Sequence, residues 1–186
     1  MKSLSTPNLT LQALAGLLSL VGFSAMAGET VEMSGNVPLA ADIQEGLFPD
    51  DDCEQLKAAG FKCMGFKPAV KYSLPAVAFK AGSAELPDLL KQQLNAFADV
   101  LRNRSSTAQK VRVEGHADAS GTPAVNLELS QRRAEAAKQY LVDKGVKADL
   151  LLAVGVGAAE PKPGTNPQSP ENRRVVIGRD TEPGTR

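Results

Sequence analysis

The chain has 186 residues, with 21 basic and 21 acidic side chains, one His and no Trp; this is enough for one compact domain with additional segments. A formal net charge of zero removes any global electrostatic case for a nucleic-acid partner or an anionic membrane surface, so a charged ligand has to be met locally.

Residues 1–27 carry Lys2, an apolar run from Leu11 to Phe23, and Ala25 and Ala27 spaced as A-x-A. This is the pattern of a secretory signal peptide cleaved before Gly28. The apolar run is shorter than the ~20 residues a spanning helix needs, and no cysteine follows it to take a lipid. The mature chain is therefore expected to be exported and to have no transmembrane segment.

Residues 28–71 contain scattered Pro and Gly and one convincing short helix, in DDCEQLKAAGFKC. Asp50 to Asp52 offer a helix cap, Glu54 to Ala59 favour helix, and Gly60 can supply a left-handed turn. In an oxidising compartment Cys53 and Cys63 read as a disulfide stapling this segment rather than as metal ligands, since zinc would need more ligands than one distant His provides. The segment is too short for a transmembrane barrel, whose eight or more strands would each need about ten residues.

From Tyr72 to Asp180 the pattern is regular. SLPAVAFK (73–80) reads as a strand. A helix follows, with Ser83 as candidate cap, Pro87 in the first turn, and Leu90, Leu94, Phe97, Ala98 and Leu101 on one stripe. KVRVEG alternates Val111 and Val113 with Arg112 and Glu114, as a half-buried strand does. After the turn ASGTP a second helix runs from about Asn126 to Lys144 and is ended by Gly145; LLLAVGVG and RRVVIGR are two further strands. The order βαβαββ predicts an α+β fold, a two-layer sandwich of two main helices on a mixed sheet. Residues 181–186 form a C-terminal tail.

On a wheel of the second helix at ~100° per residue from Leu127, the apolar residues fall between roughly 180° and 340°, and Arg133 falls among them near 240°. Arg132 faces water. A guanidinium on a core face has to find acceptors, because an unpaired buried charge costs several kcal/mol. Arg133 is therefore either permanently paired, with Asp118 as the obvious partner, or lines a pocket. His116, Asp118 and Ser120 lie too close in one turn for a nucleophile, base and orienting group. His116 is expected to shape that turn through hydrogen bonds, and neither an enzyme nor a bound metal or cofactor is expected.

GHAD (115–118), Asn126, Leu129 and Ser130, RRA (132–134) and NRRVVI (172–177), together with FKAGSAEL (79–86), resemble the peptidoglycan-binding domain of the OmpA-like family, from about Leu74 to Gly178. The resemblance implies a noncovalent clamp on the peptide stem of peptidoglycan, with diaminopimelate as the residue held. Asp118 would receive the ammonium and Arg133 a carboxylate, Asn126 and Leu129 would border the pocket, and Arg173 would add a second basic donor. Arginine suits the role because its planar fork matches a carboxylate. The chain departs from the family pattern at Ala117, where Thr is common, at Lys80, where an acid is common and one flank of the pocket would change sign, and at Gln168 and Ser169 ahead of NRRV. The resemblance implies a periplasmic protein at the cell wall, at the inner face of the outer membrane. For residues 28–71 two roles stand side by side: a cover for the domain's own apolar surface, or a grip on a periplasmic or envelope protein partner.

Overall fold

Strong alternation makes Val111–His116 a strand whose Val111 and Val113 side chains are fully buried. That strand belongs to a five-stranded mixed sheet. The computed structural model describes residues 29–49, 51–62, 68–76, 79–80, 82–104 and 109–180. In chain order the elements are β1 (Thr30–Glu32), α1 (Ala40–Leu47), α2 (Asp51–Ala58), β2 (Lys71–Pro75), α3 (Asp88–Leu101), β3 (Val111–His116), α4 (Pro123–Asp143), β4 (Leu151–Gly157) and β5 (Arg174–Arg179). The sheet order is β1-β2-β5-β3-β4. β1 runs parallel to β2 and β3 parallel to β4, while β5 is antiparallel to both its neighbours.

The βαβαββ frame is present as β2-α3-β3-α4-β4-β5, with α3 and α4 over one face of the sheet. The four expected strands become five, because the described part of residues 28–71 contributes more than the one short helix expected there. β1 adds an edge strand, and α1 places Ile43, Leu47 and Phe48 in the same apolar core as Leu74, Leu90, Leu94, Phe97 and Ile177. Core packing is continuous across residue 72, where the domain was expected to begin. α1 presses on β2 at Gly46, where an added Cβ would lie 2.1 Å from the Tyr72 hydroxyl, which donates to the Asp42 carbonyl at 2.5 Å.

Several boundaries shift for local reasons. α4 starts at Pro123 rather than Asn126, because Thr122 caps it, its hydroxyl accepting from the Val125 N–H at 3.4 Å, and Pro123 fits the first helical turn. α3 is preceded by Pro87 in an extended conformation, and Ser83 does not cap it; its hydroxyl accepts from the Glu85 N–H. β2 covers Lys71–Pro75 rather than 73–80. Cys53 lies half-buried on α2, while its expected partner Cys63, like the expected signal peptide and the tail 181–186, falls outside the described residues. No described helix is long and apolar enough to cross a membrane.

Close contact between α4 and the sheet fixes the site. At Gly115 an added Cβ would lie 2.0 Å from the Ser130 carbonyl oxygen, so only glycine lets the helix backbone approach β3 this closely. Ser130, fully buried, accepts from the Gly157 N–H at 2.8 Å, and the Gln131 side-chain oxygen accepts from the Gly155 N–H at 2.5 Å. The helix is thereby locked in register against β3 and β4.

Candidate functional site

The locked helix carries a buried polar stripe where an apolar one would be ordinary: Asn126, Ser130 and Arg133 precede Ala134, Ala137 and Leu141 on the inner face. Arg133 is the largest fully buried side chain, only 1% exposed. Arg132, its neighbour, is exposed beside Glu128. Both arginines thus point as the helical wheel places them, Arg133 inward and Arg132 to solvent.

Arg133 is held at one end only. Its Nε donates to the Ser83 carbonyl at 3.0 Å, and its guanidinium lies over the Phe79 ring, 4.4 Å from the centroid. The two terminal nitrogens make no hydrogen bond within the described protein, and no described carboxylate pairs with them within 4 Å. Burial lowers the Arg133 pKa to about 10, the Arg173 cation pushes in the same direction, and Asp118 opposes both. The group stays charged at neutral pH, with two unmatched donors, and lines a cavity of about 300 Å³. A buried cation of this kind is stabilised by an anion that offers matched acceptors.

Asp118 does not supply that pairing. Of the two alternatives for Arg133, the permanent ion pair with Asp118 is not formed: Asp118 Oδ2 lies 3.7 Å from Arg173 Nε, and Asp118 Oδ1 accepts from the Ser120 N–H at 3.0 Å. The physical reason is strand pairing. His116 at the end of β3 stands opposite Arg174 at the start of β5, so the residues just beyond, Asp118 and Arg173, meet at the sheet's end. Arg133 reaches the same cavity from the helix above.

All five residues expected at the site, Asp118, Asn126, Leu129, Arg133 and Arg173, line this one cavity. Asn126 is buried and donates to the Gly121 carbonyl at 3.2 Å, bracing the turn that carries Asp118. Ala117 also lines the cavity. Lys80 does not; it stands exposed beside Glu85 at another surface hollow, so its charge lies off the cavity lining. His116 does not shape the turn by hydrogen bonding. It lies on the opposite face of the sheet from Asp118 and Ser120, so these three polar residues share no site.

Sequence reasoning missed three contributors. The Ser83 carbonyl is backbone and invisible to residue type. Phe79 stacks on Arg133 from a loop whose approach no helical wheel reports. Asn172, 1% exposed, organises the loop before β5: it donates to the Asn166, Pro167 and Ser169 carbonyls and accepts from the Lys162 N–H and the Thr165 hydroxyl, and so sets where Arg173 begins. A buried Asn directly before two arginines was the available signal.

The model of the OmpA family matches residues 78–175, more than half of the chain. The chain belongs to the OmpA family. It is 42% identical over 88 residues to the peptidoglycan-associated lipoprotein of Haemophilus influenzae, covering 46% of this chain and 56% of that protein. It is 38% identical over 101 residues to outer membrane protein A of Yersinia pseudotuberculosis, covering 54% of this chain and 29% of that one. This OmpA-family chain thus spans well under two thirds of the length of either relative. In fold it is similar to the OmpA-like domain of FopA1 from Francisella tularensis, with a TM-score of 0.51 and 23% identity over 57% of this chain and 69% of that one. Every lining residue of the cavity falls within the family-matched stretch.

Proposed function

We propose that this protein binds peptidoglycan noncovalently, without cleaving it, and that the cavity holds the diaminopimelate residue of the peptide stem. The observation that carries the reading is the buried Arg133, whose terminal N–H groups have no acceptor among the described residues and which lines a cavity that Asp118 also lines. A ligand carboxylate between Arg133 and Arg173 relieves the repulsion between these two cations, which now lowers the Arg133 pKa. An ammonium on the same ligand centre meets Asp118, with Asn126 and Leu129 bordering it. The names of the relatives, a peptidoglycan-associated lipoprotein and an outer membrane protein, support a cell-envelope role. The proposed location is the periplasm, at the cell wall beneath the outer membrane, reached through cleavage of residues 1–27.

Co-sedimentation with purified sacculi tests the reading. Arg133→Ala removes one partner of a desolvated charge contact, an effect of typically ~2–5 kcal/mol, and lowers affinity roughly thirty-fold or more. Sacculi with lysine stems, which keep the amine and lack the carboxylate, bind more weakly than diaminopimelate sacculi. A folded Arg133→Ala protein that binds both wall types as the unaltered protein does defeats the assignment; release of soluble fragments defeats the binder reading in favour of a hydrolase. A protein partner gripped by residues 28–71 is the second reading, favoured by the exposed Leu39, Leu56 and Phe61. A pull-down with and without that segment separates it from a cover. The proposed Cys53–Cys63 bond predicts that protein isolated from the periplasm takes up no alkylating agent before reduction and two equivalents after it, read by intact mass.

A further inference from the structure

The sheet has a second face, free of the main helices, and a larger cleft of about 510 Å³ lies there, within the size range of small-molecule sites. Strand alternation builds it. Where Val111, Val113 and Gly115 face the helices, Arg112, Glu114 and His116 face the other way, and β5 alternates similarly, sending Arg174 and Val176 to the cleft. The wall is closed by β1, whose Glu32 meets Lys162 of the β4–β5 loop at 3.0 Å. Thr30, Glu32 and Lys71 all stand outside the family-matched residues 78–175, so this cleft depends on the chain's own N-terminal strand.

Three features of the floor specify a ligand. Arg174 is 8% exposed and has no described carboxylate within 4 Å; two of its N–H groups go to the Asn172 and Glu160 carbonyls, at 3.4 and 3.0 Å. His116 is 1% exposed and neither ring nitrogen has a hydrogen-bond partner within 3.5 Å among the described residues, Glu114 standing just beyond. Glu114 Oε1 is taken by Lys71 at 3.2 Å and Arg112 at 3.0 Å, whereas Oε2 lies 3.6 Å from His116 Nε2, beyond hydrogen-bond reach, and keeps acceptor capacity. Burial, with the Arg174 charge adding to it against Glu114, lowers the His116 pKa, so the ring is neutral at neutral pH and offers one donor and one acceptor.

We infer that this cleft is a second binding site, for a sugar acid, whose carboxylate is held by Arg174 and whose hydroxyls bond His116 and the free oxygen of Glu114. A hydroxyl can both donate and accept, which is what a neutral imidazole beside a carboxylate asks for. A lone carboxylate satisfies Arg174 but neither His116 nor Glu114, and a neutral sugar brings no anion to the N–H groups of Arg174, on which Glu32, Glu160 and Glu114 act only from a distance.

The test is an NMR titration of the full chain carrying Arg133→Ala, which removes the other buried arginine as a competing carboxylate site. The probes are D-glucuronate, acetate and D-glucose. The expected result is saturable shifts at Lys71, His116 and Arg174 with glucuronate, with acetate and glucose each about ten-fold weaker or more, a difference of about 1.4 kcal/mol, and loss of the glucuronate response in Arg174→Gln. Should Arg174→Gln fail to fold, the location of the shifts in the Arg133→Ala protein decides alone. No saturable response, acetate or glucose equal to glucuronate, or shifts confined to Asn126 and Leu129 each overturn the inference. Loss of sacculus binding by Arg133→Ala bears on the other cavity and leaves this outcome independent.

Discussion

The stretch from Phe79 to Arg173 buries polar side chains beside its share of the apolar core, whereas the described residues of the stretch from Glu29 to Val70 bury apolar ones alone. The first buries Arg133, Asn126, Asn172 and His116; the N-terminal segment buries Ile43, Leu47 and Phe48. Apolar burial reports only that a surface is covered, since its energy is non-directional. Polar burial reports a specific demand, because each buried donor or acceptor left unmatched costs about 1–3 kcal/mol. The described N-terminal segment is therefore chiefly part of the core, and the cavity lined by Arg133 and Asp118 carries the unmatched polar groups.

Four substitutions or conditions can break that comparison. The largest effect is on binding: Arg133→Ala lowers sacculus affinity by roughly thirty-fold or more while the thermal midpoint falls less than in a core truncation, because the lost guanidinium contacts the Ser83 carbonyl and the Phe79 ring but no described carboxylate. Conversely, Leu47→Ala in α1, fully buried, lowers stability by about 2–5 kcal/mol with binding per folded molecule unchanged; urea unfolding and co-sedimentation read the two halves. A reversal of these outcomes would exchange the roles of the two regions.

Glu114 marks the seam, since Lys71 at the start of β2 contacts it from the N-terminal side of the sheet. Burial pulls its carboxyl upward, but contact with His116 and with the Lys71 ammonium outweighs this and brings the pKa from 4.5 to about 2. Its folded-state pKa is depressed, so its stabilisation is present above pH 4.5 and is lost as pH falls toward 2. Loss of up to a few kcal/mol over that window is expected, and Glu114→Gln flattens this part of the acid-unfolding curve. The smallest effect belongs to Tyr72→Phe, which deletes the hydroxyl bond to the Asp42 carbonyl and costs about 1 kcal/mol, read by urea midpoint.

Much of the cavity lining was legible because helical periodicity is strict. One misplaced charge among Ala134, Ala137 and Leu141 pointed to Arg133, and the stripe from Leu90 to Leu101 is buried as spaced. What a wheel cannot give is a distance across strands, so the choice between an Asp118–Arg133 pair and a pocket stayed open until the His116–Arg174 register placed Arg173 beside Asp118. β1 and α1 were illegible for a different reason. Thr30–Glu32 is too short to show alternation, and α1 has only eight residues with two fully buried apolar ones. Their structure is set by contacts with β2 and α3, tens of residues away in the chain.

The direction of β1 has a mechanical consequence. β2 brings Pro75 opposite Arg174, at the cavity's end of the sheet, and β1 runs parallel to β2 with Thr30 opposite Lys71, so residue 29 leaves the sheet at the far end. A tensile load between residue 29 and a ligand seated on Arg133 would run along the strand axis. The bonds joining β1 to β2, from the Glu29–Lys71 contact to the Met33–Ser73 contact, both 2.9 Å, lie across that axis and share the force in shear instead of parting one at a time. The three-residue edge strand, the least conspicuous element of the fold, is thus the first to bear tension, ahead of α1 and the core behind it.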